Sequence, residues 1–172
     1  MVSRAKVLSR LAMLVAGLVA LVLPLAAAQA HETDATSARA TLRAGQVELT
    51  IITNADHWRA ILSSSESWLL GDTDALMPQN LTDAQEQAFL QQVMTEQTQL
   101  LVNGRTLPFD RVSISRPSGS DDIEIVVLAR HSFHQVEQLS VTFPASLGGV
   151  HLSVVKPLYR VLSPGEPADV LY

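Results

Sequence analysis

The sequence contains no cysteine. This absence excludes disulfide bridges, thiol catalysis, thiolate metal sites and a lipidated N-terminal cysteine. Aromatic residues make up only 5% of the chain, so a folded core must be built mainly from aliphatic side chains. No segment after residue 25 is long and apolar enough to predict a membrane-spanning helix.

The common catalytic and phosphate-binding motifs are also missing. The serines at 63–65 have no G-x-S-x-G context, and the glycine pair at 148–149 belongs to no P-loop or dinucleotide motif. A calcium loop that starts at Asp72 needs glycine at its sixth position and glutamate at its twelfth, where Met77 and Asp83 stand. We therefore predict a protein that is not an enzyme, although a hydrolase with an unrecognised site stays a third alternative.

The N-terminus has the three parts of a secretory signal peptide. A positively charged start is followed by an almost wholly apolar segment at 11–25, and small residues at Ala28 and Ala30 suit a signal peptidase. The positive charges are those of Arg4, Lys6 and Arg10. We predict that residues 1–30 are removed and that the protein is periplasmic or secreted in a bacterium.

Cleavage after Ala30 leaves 142 residues, which is about one domain. Nine Lys and Arg then stand against seventeen Asp and Glu, so the net charge is −8 with neutral histidines. An acidic surface repels phosphate backbones and anionic lipids. Nucleic acid and a direct membrane contact are therefore poor candidates as partners.

The pattern along residues 31–172 is mainly that of β-strands. Segments 36–44 and 46–53 predict a hairpin around Gly45, and Asn103-Gly104 predicts a second tight turn. Further strands are predicted at 100–102, 106–109, 111–116, 123–128, 136–143 and 150–155. This spacing favours an antiparallel β-sandwich of immunoglobulin-like type, with a helical insertion at about 55–98.

The helical insertion shows clear start signals. Either Asn54 or Asp56 can cap a first short helix, and Thr82 with Gln85 has capping-box spacing at the start of a longer one. The longer helix carries an apolar stripe that we expect to cover one end or face of a sheet. Its opposite face is rich in glutamine and is expected to face solvent.

His31 is the first candidate metal ligand, because cleavage makes it the N-terminal residue. A terminal histidine offers its α-amine and its ring nitrogen to one metal ion, and nitrogen ligands suit copper, nickel or zinc. His131 and His134 form an H-x-x-H pair between two predicted strands, where a turn allows both rings to reach one ion. The alternative for all three is an ordinary surface histidine, which is the expectation for His57 and His151.

The layout resembles the extracytoplasmic β-rich domain that precedes the membrane helices of HupE/UreJ-type proteins, which are hydrogenase and urease accessory proteins. The resemblance is carried by Ala30-His31, the hairpin at 36–53, the segment 101–104, and the closing segments 155–157 and 162–167. It implies a link to nickel or cobalt uptake. Because the sequence stops at Tyr172, it also implies a detached domain beside a separately encoded HupE/UreJ-like membrane protein.

Two functions follow as hypotheses. The first is a periplasmic accessory domain that binds copper, nickel or zinc through His31, His131 and His134 and presents the ion to a membrane partner. The second is a metal-free interaction or structural module of the cell envelope, which binds another protein through a sheet edge or a helix. The identity of the metal and of the partner stays open.

Overall fold

The computed structural model of the chain describes residues 35–159, 161–165 and 167. His31 and the predicted signal peptide lie outside these residues. The described part is mainly β, with two sheets and a few helices. The strands are β1 (Thr36–Arg43), β2 (Gln46–Asn54), β3 (Gln99–Val102), β4 (Arg105–Thr106), β5 (Phe109–Ser115), β6 (Asp122–Arg130), β7 (Leu139–Thr142) and β8 (Val150–Val155). The helices are α1 (Ala55–Ser63), α2 (Ser65–Leu70) and α3 (Asp83–Gln97), and a 3₁₀ turn covers Ala145–Leu147.

The larger sheet has the strand order β5-β6-β2-β1-β8, and the smaller one has the order β4-β3-β7. All described pairs are antiparallel except one, because β8 runs parallel to β1 from Thr36 opposite Val150 to Thr41 opposite Val155. The prediction of a purely antiparallel arrangement was wrong for this pair. Its cause lies in the 3₁₀ turn, where the Leu147 carbonyl accepts a hydrogen bond from the Thr36 hydroxyl at 3.0 Å and so places the start of β8 beside the start of β1.

One face of the larger sheet carries the core. Buried side chains alternate with exposed or half-buried ones along β1, β2 and β6, as a half-buried sheet requires. Toward one end, Leu49 and Ile51 of β2 pack with the helices, and toward the other, Val47 packs with Leu100 and Val102 of the smaller sheet. The helices and the smaller sheet therefore cover the same face.

The predicted local signals produce the predicted turns and caps. Asn54, rather than Asp56, caps α1, because its side-chain oxygen accepts the His57 amide at 2.9 Å. Thr82 and Gln85 form the capping box of α3. Asn103 and Gly104 both have positive φ, at 51° and 76°, in the turn between β3 and β4. These three predictions are confirmed.

Strand β5 is the edge of the larger sheet that α3 covers. The side-chain amide of Gln91 donates to the Val112 carbonyl at 2.8 Å, and that of Gln87 donates to the Ile114 carbonyl at 3.1 Å. Leu90, which lies between them in sequence, is buried in the core. The expectation that the glutamine-rich face is only solvated was therefore wrong, because two of these glutamines bind the carbonyls of the edge strand.

Strand β8 is the opposite edge, and no strand of the described part of the chain pairs with its outer side. Leu152 and Val154 stand opposite Ala38 and Ala40 of β1, so they continue the core face of the sheet. The two alanines are buried, whereas Leu152 is 41% exposed and Val154 is 53% exposed. Nothing among the described residues covers this apolar end of the sheet.

Helix α2 carries a second exposed apolar group. Trp68, Leu69 and Leu70 are all exposed, and the helix buries none of its residues. It ends at Gly71, whose φ of 84° is the left-handed conformation of a helix C-cap. Of the helices described, none has the length and apolar character that crossing a bilayer requires.

Candidate functional site

The predicted H-x-x-H pair lies in the irregular segment between β6 and β7. This segment is held by Asn103 of the β3–β4 turn, whose side-chain oxygen accepts the amides of Glu137 and Gln138 at 2.9 and 3.1 Å. The side-chain amide of Asn103 donates to the Gln135 carbonyl at 2.9 Å. One asparagine side chain therefore fixes the end of the segment that carries the two histidines.

The start of the segment is fixed at His131. Its backbone amide donates to the Gly45 carbonyl at 2.9 Å, which ties it to the turn between β1 and β2. Its ring nitrogen Nδ1 accepts the Phe133 amide at 3.3 Å, and the two rings lie with their centroids 5.8 Å apart. His131 is half-buried and His134 is exposed. These contacts hold the backbone and the ring of His131 in one orientation.

The hydrogen bond from Phe133 decides which nitrogen of His131 carries the proton. A nitrogen that accepts a hydrogen bond has no proton, so in the neutral ring the proton is on Nε2. That Nε2 is shielded from solvent and has no hydrogen-bond partner among the described residues. In the neutral ring this nitrogen is therefore a buried N–H donor without an acceptor among the described residues.

A histidine that binds a metal through Nε2 usually shows the opposite arrangement. Its Nδ1 carries the proton and donates it to a carbonyl or carboxylate, which leaves the Nε2 lone pair for the ion. In this structure Nδ1 of His131 accepts instead. Binding of a metal by Nε2 would require the ring to give up its hydrogen bond with Phe133.

His131 and His134 line one small depression of about 230 Å³. Its walls come from the ends of β1 and β8 and from the loop, and they are formed by Leu42, Arg43, Ala44, His131, Phe133, His134, Val136, Lys156, Pro157 and Tyr159. Among the described lining residues two are basic, Arg43 and Lys156, and none is acidic. The chain as a whole has a formal net charge of −5.

A second depression lies on the other side of His131. It is lined by Arg105, Thr106, Leu107, Pro108, Arg130, His131, Ser132 and Phe133. This set again contains two arginines and no acid, although Arg130 has Asp110 3.7 Å away. His131 therefore lines two depressions, and the described residues of each include two basic side chains.

The structure brings together two of the three predicted metal ligands, because His131 and His134 share a depression. His31 lies outside the described residues, so the three-residue metal site stays a prediction. Within 35–159, 161–165 and 167, no group of three or more His, Asp or Glu side chains is placed to hold a metal ion. His57 is exposed on α1, and His151 is exposed on the outer face of β8.

Sequence reasoning missed Arg43 and Lys156. They reach the depression because β1 and β8 are parallel and their C-terminal ends meet at the same end of the sheet. One signal was available, since Lys156 is the only lysine of the chain apart from Lys6. A single lysine in an acidic chain is a candidate for a specific role, but its neighbours depend on the parallel pairing.

Comparison of this chain with protein-family models, with curated proteins and with solved structures finds no match.

Proposed function

We propose that this chain is a non-enzymatic accessory domain of the bacterial periplasm or cell exterior, and that it binds an extended strand of a partner protein along β8. The observation that carries the proposal is the open edge at β8. An edge strand presents unpaired backbone groups to any extended chain, and proteins usually cover such an edge or give it charged residues. This edge instead exposes Leu152, Val154 and Val155.

The exposure of β8 indicates how the partner strand would pack. Directly opposite residues of a sheet share a face, so Leu152 and Val154 project beside the buried Ala38 and Ala40. A partner strand with apolar residues at alternate positions would cover them and complete the layer. This mode, in which backbone hydrogen bonds supply affinity and alternate side chains supply specificity, is β-augmentation.

Charge on the outer face of the larger sheet indicates which side chains the partner strand would place on that face. Arg39 of β1 stands opposite Ser153 of β8, and His151 lies on the same outer face. Arg39 has no carboxylate within 4 Å among the described residues, whereas Arg43 has Glu48 at 3.6 Å. A strand that alternates apolar residues with acidic ones would therefore complement both faces of β8.

A photo-reactive amino acid at position 154 tests the proposal in the native cell. We expect one defined adduct, and we expect the cross-linked segment of the partner to alternate apolar and acidic residues. The matched control is position 113, because Ser113 is exposed on β5 at the edge that α3 covers. An adduct that forms equally from position 113 would contradict the proposal.

The purified partner segment then allows a quantitative test. Arg39→Glu should weaken its binding by about tenfold or more, since it replaces attraction by repulsion beside the acidic side chains. Arg111→Glu makes the same charge change on β5 and should leave the affinity within about twofold. Binding that is insensitive to both Arg39→Glu and Leu152→Lys would show that β8 is not the docking edge.

The second candidate function is the binding of copper, nickel or zinc, presented to a HupE/UreJ-like membrane protein. One observation favours it, namely that His131 and His134 line the same depression. His31 would add its α-amine and its ring nitrogen as ligands. The predicted immunoglobulin-like sandwich would be the scaffold that carries this metal site. Metal binding through Nε2 of His131 would have to break the hydrogen bond that Nδ1 accepts from the Phe133 amide.

Metal titration of processed protein distinguishes the two functions. If the accessory domain carries a metal, copper, nickel or zinc should bind more tightly than about micromolar, which corresponds to about −8 kcal/mol. His131→Ala with His134→Ala should abolish that binding while leaving the cross-link at position 154 unchanged. Weaker binding, or binding that survives both substitutions, would remove the metal role.

A further inference from the structure

We propose that helix α2 is a second docking surface, and that its occupant is a basic amphipathic helix of a partner protein. The surface, called here the Trp68 surface, consists of Glu66, Trp68, Leu69, Leu70 and Asp72. This proposal does not depend on strand binding at β8, because it concerns another element and another kind of partner segment. Exposure, rigidity and charge each support it.

The exposure of three consecutive apolar side chains is the first observation. Trp68 is 52% exposed, Leu69 is 76% exposed and Leu70 is 71% exposed, whereas the other tryptophan, Trp58, is 1% exposed. Single exposed apolar residues are ordinary, but contiguous ones mark interaction sites. Tryptophan is also among the residues that most often dominate binding at protein interfaces.

Hydrogen bonds hold this short helix at both ends. The Ser64 hydroxyl accepts the Ser67 amide at 3.1 Å where the helix begins. Where it ends, Gly71 is left-handed and the Asp72 amide donates to the Ser67 carbonyl at 2.9 Å. An apolar group that is already held in place loses little conformational entropy when a partner binds.

Charge indicates what kind of partner fits. Residues 60–104 contain six Asp and Glu but no Lys, Arg or His. Glu66 lies three and four positions before Leu69 and Leu70, so it is on their side of the helix, and Asp72 follows the last turn. Among the described residues, neither carboxylate takes part in an ion pair. A partner with lysine or arginine beside its apolar residues is therefore the complement of this surface.

The same charges favour a helix over a strand or a lipid surface. A strand alternates its side chains between two faces, so it cannot readily present apolar and basic residues to one surface. An amphipathic helix presents an apolar stripe with basic residues along both of its sides. Anionic lipids would be repelled by Glu66 and Asp72, whereas they attract basic surfaces.

Tryptophan fluorescence tests the proposal on the processed protein. The probe is a leucine–lysine peptide of about fourteen residues, long enough to form a helix and free of tryptophan. We expect a saturable blue shift from Trp68, because Trp58 is already buried, and Trp68→Phe should abolish that shift. The affinity should fall as salt is raised from about 0.05 to about 0.5 M, because salt screens the charges.

Matched charge variants locate the binding. Glu66→Gln with Asp72→Asn should weaken binding of the peptide by about tenfold or more, since it removes both flanking charges. Asp121→Asn with Glu137→Gln removes the same charge from exposed positions elsewhere and should leave the affinity within about twofold. All four residues are exposed, so both variants should keep the native amide spectrum, which checks their folding.

Matched apolar variants separate this surface from the rest of the chain. Leu69→Gln should weaken binding by about tenfold, whereas Leu158→Gln should change it by less than about twofold, although the two leucines are 76% and 77% exposed. Leu152→Lys on β8 should also change it by less than about twofold. Loss of binding in this last variant would make the peptide a ligand of the β8 edge and overturn the proposal.

Four further results would overturn it. These are the absence of a saturable shift, an equal shift with the matching leucine–glutamate peptide, equal effects of the two charge variants, and equal effects of Leu69→Gln and Leu158→Gln. Vesicles of phosphatidylcholine should give no shift. A shift of Trp68 with these vesicles that exceeds the shift with the peptide would assign the surface to lipid instead.

Discussion

The two edges of the larger sheet are built on different principles. At β5, two glutamines of α3 donate to the Val112 and Ile114 carbonyls, and the helix buries Leu90 beside them. At β8, apolar side chains continue the core face without any described residue over them. Side chains of α3 therefore bind one edge, whereas no described strand pairs with the other edge and its apolar side chains are exposed.

This difference shows what protects the edge of a sheet from pairing with another strand. Apolar alternation alone does not cover an edge, since β8 has it and remains exposed. What β5 has in addition is a set of side-chain donors at the spacing of the edge carbonyls. Gln87 and Gln91 are four residues apart and lie on one face of α3, which matches two successive outward-facing carbonyls of a strand.

The largest expected contrast comes from the same substitution at each edge. Leu90 is 7% exposed and Leu152 is 41% exposed. Leu90→Ala should lower the free energy of unfolding by about 2–5 kcal/mol, because it removes buried contacts and leaves a cavity. Leu152→Ala should cost less than about 1 kcal/mol. Urea denaturation of the two variants measures the contrast, and equal costs would show that β8 is packed in solution.

A smaller effect is expected where β8 begins. The Thr36 hydroxyl lies 2.9 Å from that of Thr53 and donates to the Leu147 carbonyl at 3.0 Å, all in a buried position. Thr36→Val should cost about 1–3 kcal/mol, since it leaves buried polar partners unsatisfied. Amide exchange should also quicken along β8 more than along β5. Thr41→Val is the control, because Thr41 lies on the outer face of β1.

If that control destabilises the protein as much as Thr36→Val does, the cost comes from the β-strand and not from the hydrogen bonds. If exchange quickens equally at both edges, the Thr36 contact stabilises the whole sheet. Only a selective effect at β8 supports an anchor that is local to this edge.

The smallest effect is expected from opening the covered edge. The double substitution Gln87→Ala and Gln91→Ala should cost about 1–2 kcal/mol, from two lost hydrogen bonds partly offset by the helix propensity of alanine. It should also increase edge-to-edge association, which light scattering measures. Gln92→Ala is the matched control, since its amide pairs with Glu96 within the helix and not with β5. Equal association of both variants would contradict the role given to Gln87 and Gln91.

Local features of this fold were readable from the sequence. The turn at Asn103-Gly104, the cap at Asn54 and the capping box at Thr82 depend on residues within four positions of each other, and all three are confirmed. The parallel pairing of β1 with β8 was not readable, because strand propensity carries no information on direction. The glutamine contacts with β5 were missed for a related reason, since an exposed face and a face that binds an edge have the same polar composition.

The same division applies to the candidate site. The sequence predicted that His131 and His134 lie together in a loop, and both line one depression. It could not predict that Arg43 and Lys156 join them, since these arrive from two strands that are distant in sequence. It also could not predict that Nδ1 of His131 accepts a hydrogen bond from the Phe133 amide.

The hydrogen bond between Thr36 and Leu147 joins positions 111 residues apart, and it has a consequence for the order of assembly. A ribosome delivers β1 long before β8, so during synthesis β1 itself is an unprotected edge. Closing so long a loop is slow, because its entropy must be lost before any contact forms. A nascent chain that stalls before residue 150 would therefore expose β1 to its neighbours, and chaperone dependence should peak in that interval.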